Sequence, residues 1–312
     1  MANACLIVQT VSMGYIRNIV TFIHDSIKQS FGADAPLFLV NEIDQASYPP
    51  DSAVFVIGES FQRHTRRDGC RYIYLNFSVL RVMGNPLMTG RQGWKAVQRK
   101  KALLADKLDL YDMLLDYLPP QTRILQRQLD LPVRSFKPCI DPAAMPQALP
   151  LQERLYDVCF VGKPTKRRSE ITMALQEKGL KLSPQTDVVF EEMAAQSKCC
   201  LNFHAERSNH LETPRIVGAL AAQCPVVTEN SYGLRDLLPP HLILQARKSA
   251  LPGVVAALLQ DKRRLQDLCN ASHKWFRDTY LPQARSEWRN LCQEIIKLDI
   301  DTTHLTSLRN VS

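Results

Sequence analysis

Between an apolar run at 199–203 and an apolar helix carrying Ile216, Val217, Ala219, Leu220 and Ala222, the chain places His204, Glu206, Arg207, Asn209, His210 and Glu212. Carboxylates accept paired hydrogen bonds from vicinal hydroxyls, and a guanidinium fork matches phosphate oxygens. Thr213 and Pro214 read as N-cap and first helical residue, with Arg215 in the first turn. A second buried strand, 225–228, follows and ends at Glu229. Strand, polar loop, helix start and strand make a parallel βαβ unit, whose ligands gather at the carboxyl ends of the strands.

A second helix start lies upstream, where an apolar strand over 156–161 runs into Gly162, Lys163, Pro164, Thr165, Lys166, Arg167 and Arg168. Free amide hydrogens and the helix dipole make such a start an anion site. Two starts with cations suit a diphosphate, and Glu206, Glu212 and Glu229 suit the hydroxyls of a ribose or hexose. A nucleotide sugar has both. The competing reading is that Glu212 and Arg215 only decorate a helix N-terminus. For a general base, strand ends and loops of the first part offer Glu59 and His64, and less plausibly Asp25 or His24. Arg91, Lys95 and Arg99 share a helical face beside Lys100, Lys101 and Trp94, a surface for an anionic acceptor or lipid headgroups, or else a solvated face.

The elements that must position these residues alternate along the chain. Buried strands are expected near 5–10, 37–40, 53–57 and 72–77, with an amphipathic helix at 15–30 and a Gly-rich loop at 83–98. This argues for parallel sheets with right-handed crossovers. The Pro- and Ala-rich stretch 142–151 reads as a linker, dividing 312 residues into an acceptor domain at 1–145 and a donor domain at 152–282, with a helix and tail at 283–312. Pro282 is the expected kink in a helical C-terminal region, and Asp299-Ile300-Asp301 a solvated helix end. Nine scattered cysteines favour free thiols in a reducing compartment, and neither a signal peptide nor a membrane span is expected. The net charge of +8 allows an anionic partner but brings no zinc spacing or recognition helix with it, so nucleic acid is not the expected one.

LNFHAERSNHLETPRIVGALAAQCPVVTE resembles the donor-site segment of GT-B glycosyltransferases of the broad "glycosyl transferases group 1" type. YDVCFVGKPTKRR resembles the opening strand of their donor domain, and RSFKPCIDP the end of their acceptor half. The resemblance implies an α/β protein of two Rossmann-like domains, an inter-domain cleft, and C-terminal helices crossing back to the first domain. It implies donor binding by Gly162, Lys163, Arg167, Arg168, His204, Glu206, Glu212, Thr213, Arg215 and Glu229, with Glu212 and Arg215 catalytic, and a base from Glu59 or His64. The family's pair of acids would fall on His210 and Gly218, and neither is acidic.

The expected activity is transfer of a sugar from a nucleotide-diphosphate sugar to a hydroxyl acceptor, in envelope glycan or other glycoconjugate synthesis. It needs no metal and no cofactor beyond the nucleotide-sugar co-substrate. Lipid-linked acceptors, peripheral membrane association and a cytoplasmic location at the inner membrane face go with it. The alternative is a non-catalytic sugar- or nucleotide-binding protein of the same fold. Alanine at Glu212 or Arg215 is expected to abolish transfer.

Overall fold

Strands buried on both faces need apolar residues at nearly every position, and that is what the apolar runs build. The computed structural model describes residues 3–80, 86–204 and 211–309, without the side chains at 15, 86–93, 96 and 298–309. The chain forms two compact units: Met1–Ser78, Arg99–Pro138 and Gln283–Ser312, and Val79–Gln98 with Cys139–Pro282.

The first unit is a six-stranded, all-parallel sheet. Its elements are β1 (Asn3–Gln9), α1 (Met13–Phe31), β2 (Leu37–Val40), β3 (Ser52–Ile57), β4 (Arg71–Asn76), β5 (Met113–Asp116), and β6 (Val133–Ser135), in spatial order β2-β1-β3-β4-β5-β6. α2 (Pro86–Ala105) lies between β4 and β5 in sequence, and α3 (Pro119–Leu125) between β5 and β6. Helix α2 begins inside the stretch expected to be a Gly-rich loop; Gly90 and Gly93 weaken a helix without ending it. Ile16, Ile19, Val20, Ile23 and Ile27 of α1 are buried at the expected helical spacing. Because β1 is flanked by β2 and β3, the sheet reverses direction there, and ligand crevices form at the carboxyl side of such a reversal.

The second unit repeats the plan: β7 (Tyr156–Cys159), α4 (Lys166–Gln176), α5 (Phe190–Ala195), β8 (Ser197–Asn202), α6 (Thr213–Ala221), β9 (Val226–Glu229), α7 (Leu234–Leu237), β10 (Leu244–Ala246), α8 (Leu251–Gln260) and α9 (Lys262–Trp275). The strands pair in parallel as β10-β9-β8-β7, and Leu182 bridges to Val158. The chain leaving β7 therefore visits one side, at Leu182, before returning as β8 on the other. Its reversal lies where β7 and β8 end, beside Gly162 and His204. Val158, Phe160, Leu201, Phe203, Val227 and Val255 fill the core beneath.

A π-helical turn (Phe276–Tyr280) separates α9 from α10 (Leu281–Arg309). Pro282 lacks an amide hydrogen and its ring crowds the carbonyl a turn back, which a widened turn relieves. α10 begins at that junction, and its residues from Gln283 belong to the first unit. There Trp288, Leu291, Cys292 and Ile295 are buried, and the Trp288 indole donates to the Lys137 carbonyl at 3.2 Å. Every cysteine is free and buried. Among the described residues no helix is long and apolar enough to cross a membrane, and no cluster of His, Cys, Asp and Glu has the form of a metal site.

Candidate functional site

The carboxyl edge of the second sheet gathers arginines from two helix starts. α4 begins at Lys166, with Thr165 as a true N-cap accepting from the Arg168 amide. Arg167 and Arg168 are thereby aimed from its first turn. In α6 the cap residue is Glu212, one position before the expected Thr213, which is buried in the first turn. Arg215, in the same turn, points its fork inward.

Arg215 donates to the Asn202 side-chain oxygen at 2.8 Å and to the Val161 carbonyl at 3.3 Å. Arg168 donates to the Lys163 carbonyl at 2.9 Å. Both guanidiniums lie against the Phe160 ring, at 4.9 Å for Arg168 and 5.1 Å for Arg215, so cation–π attraction holds them side by side. Phe160 is itself stacked on Phe203. Gly162 leaves room at the crossing: a Cβ there would stand 3.0 Å from Arg168 Nη1, 3.3 Å from the Phe160 ring and 3.4 Å from Arg215 Nη2, so these side chains would have to give by a few tenths of an ångström. Lys163 and Lys166 are exposed beside it.

Next to this pair, Arg167 forms an ion pair with Glu229 at the end of β9 and donates to the His204 carbonyl at 3.0 Å. The Glu229 carboxylate also accepts from the His204 amide at 3.3 Å. His204 is buried, its Nε2 is 3.2 Å from the Ser231 hydroxyl, and its Nδ1 has no partner among the described residues. Burial lowers its pKa, against the pull of Glu212 and Glu229, so the ring is neutral. Glu206 and His210 lie outside the described residues.

The first unit brings a different group to its carboxyl edge. Lys100 Nζ lies 3.2 Å from the Glu59 carboxylate and 3.3 Å from the Ser78 hydroxyl, which donates to Glu59. Burial pushes the Glu59 carboxyl up, but the Ser78 hydrogen bond and Lys100 together bring it below the usual range. Beneath it, buried Asp116 accepts from Asn76 at 2.6 Å, Gln121 at 2.7 Å and the Leu118 amide at 2.8 Å. Asn76 and Gln121 also hold the Ser78 carbonyl. Burial outweighs these hydrogen bonds and lifts Asp116 to about 6.

His64 is not in that group. Its ring lies 4.8 Å from Tyr72, at the start of β4, and 6.0 Å from Tyr111, just before β5, and it is buried. It therefore sits toward the amino ends of these strands, apart from Glu59. His24 is occupied too, with Nε2 at 2.8 Å from the Ala35 carbonyl. Burial lowers the His64 pKa; Asp44 raises it and Arg66, Lys107 and Arg63 lower it further. The unfolded chain takes up a proton near the ordinary histidine value, about 6.5, before the native ring does, so this site contributes stability above that pH that is lost as pH falls through it. We expect His64→Phe to flatten the loss of stability between pH 7.5 and 5.5, read by urea denaturation against the parent protein. An unchanged pH slope would show that the ring is not held neutral.

No family model and no curated protein matches the sequence. Solved structures do match in shape. Sucrose-phosphate synthase from Thermosynechococcus elongatus superposes with a TM-score of 0.59 at 11% identity, over 97% of this chain and 100% of that one. Anabaena Alr3699/HepE in complex with UDP-glucose gives 0.58 at 7% identity, over 94% and 99%. The fold is GT-B. A TM-score of 0.56 at 10% identity relates the GT-B chain to TarM, over 78% of this chain, which spans only 55% of TarM's length. It likewise spans 57% of the pneumococcal O-GlcNAc transferase GtfA.

Within this GT-B chain, strand-end polarity and cation spacing were the signals that located Arg167, Arg168, Arg215 and Glu229. Asn202, Ser231 and Phe160 escaped that reading. Asn202 is the polar last residue of an apolar strand and could have been noticed. Phe160 has no signal, because an aromatic residue in a buried strand looks like core whatever lies over its face.

Proposed function

We propose that the protein is a glycosyltransferase that moves a sugar from a nucleotide-diphosphate sugar to a hydroxyl acceptor. The observation that carries it is the Arg168–Arg215 pair held over Phe160 and Gly162 at the strand reversal, with Arg167, Lys163 and Lys166 beside it. Such a cluster stabilises the negative charge that develops on a departing diphosphate, so the reaction needs no metal. Glu229 and neutral His204 would face hydroxyls of the nucleotide sugar. The match to HepE in complex with UDP-glucose supports the same ligand class. The acceptor would bind the first unit, near Glu59, Ser78 and Lys100, with Glu59 the candidate base for its hydroxyl. The exposed Arg99 and Lys101, on the part of α2 that belongs to the first unit, favour an anionic or lipid-linked acceptor, taken from the cytoplasmic face of a membrane in glycan assembly.

One observation favours a second reading, binding without turnover: the position of the family's second acid is Gly218, packed against Phe190. A single experiment separates the two. The protein is screened for thermal stabilisation by nucleoside diphosphates and their sugars, and each ligand that shifts the melt is assayed for nucleotide release with EDTA present. A ligand at a hundred times its Kd should stabilise by about 2.7 kcal/mol. Release in EDTA is the expected result. A shift without release would establish the binding reading, and no shift with any nucleotide would end both.

A further inference from the structure

The two arginines over Phe160 share one carboxylate. Glu212 forms an ion pair with Arg215 through one oxygen and approaches Arg168 Nη2 at 3.4 Å with the other. It occupies the N-cap of α6, where a side chain ordinarily turns back to accept from the helix's first amides, yet it makes no capping hydrogen bond. The carboxylate has been drawn off the helix end and into the gap between the guanidiniums. Arg167 and Glu229 balance each other next door, so the Arg168–Arg215–Glu212 group keeps one positive charge in excess. Glu212 remains about a third exposed while the two arginines are largely buried, so it can leave and they cannot.

We propose that Glu212 is an internal stand-in for phosphate: its carboxylate fills the anion seat between the two arginines, and a nucleoside diphosphate binds by displacing it. The inference rests on the reading of this edge as a diphosphate site. A carboxylate and a phosphate offer a guanidinium fork the same pair of acceptor oxygens. A diphosphate brings more charge and more acceptors than one carboxylate, so it wins when it arrives, at an affinity reduced by the competition. Displaced, Glu212 is free to turn back toward the start of α6, where Pro214 has no amide hydrogen and the Arg215 amide is the donor in capping position. The contact gives the two largely buried guanidiniums a shared counter-charge between turnovers.

Isothermal titration with pyrophosphate and with UDP tests this on the intact protein, its Glu212→Gln and Glu212→Asp variants, and Arg168→Met. Glu212→Gln removes the competitor and a like charge and should tighten pyrophosphate binding about tenfold. Glu212→Asp keeps the charge on an arm too short to span both arginines, and should also bind more tightly; it serves if the glutamine variant fails to fold. Arg168→Met should weaken binding about tenfold or more. Equal or weaker pyrophosphate binding in a folded Glu212 variant overturns the proposal. Tighter binding with no turnover of any nucleotide sugar would sink the transfer reading and leave this one standing; turnover with unchanged affinity would do the reverse.

Discussion

Replacing Arg215 by alanine is expected to lower sugar transfer by at least about a hundredfold, the usual cost of deleting a preorganised donor to developing negative charge. The same change should cost stability. Arg215 donates to Asn202, the last residue of the inner strand β8, and to the Val161 carbonyl just past β7, and leaving such acceptors unmet costs about 1–3 kcal/mol where they are buried. A fall in melting temperature of several degrees should therefore accompany the loss, with the cooperative transition kept. Arg215→Lys separates the two roles. It returns a charge but not the flat fork that reaches Asn202 and Val161 together while lying on Phe160. Stability should recover in part and nucleotide release should remain low. Full activity in Arg215→Ala with only a lowered melt would make Arg215 a staple between strand ends, and would remove the main support for the donor site.

How far this arrangement could be read in the sequence depended on where its cause lay. Strands buried on both faces announce themselves as apolar runs, so both parallel sheets were legible, and polar residues just past those runs marked the edge. What the side chains do there was less legible. Thr213 has the residue type of an N-cap, but the tertiary pull of two arginines on Glu212 decides the helix start. His64 stands in a polar stretch with Arg63, Arg66 and Arg67, where its type and loop position offer it as a base. In the fold those arginines turn to the Asp109 and Asp112 carboxylates and to the carbonyls of Ala46 and Tyr48, leaving the histidine among aromatic rings. Ordered pairing across 19 to 46 residues leaves no local trace.

Gly218 gives the second large effect, because the fold explains its departure from the family's pattern. It lies in α6 in an ordinary helical conformation, so its small size rather than its backbone freedom is what matters. A Cβ would stand 2.9 Å from Phe190 Cε1, 3.2 Å from Cδ1 and 3.6 Å from Ile140 Cδ1. The space of an acidic side chain is filled by a ring from α5. Gly218→Ala should change stability by less than about 1 kcal/mol, since the gain in helix propensity offsets a small ring shift. Gly218→Glu should cost more than about 3 kcal/mol, adding overpacking to a carboxyl forced against apolar side chains. It should not raise activity. Phe190→Ala in the Gly218→Glu background opens room, so the double variant should be more stable than the sum of the single losses by about 1–3 kcal/mol. Urea denaturation of the four proteins measures that coupling. Additive losses, or a Gly218→Glu protein that melts like the parent, would mean the ring swings aside and the glycine is no barrier to an acid at this edge.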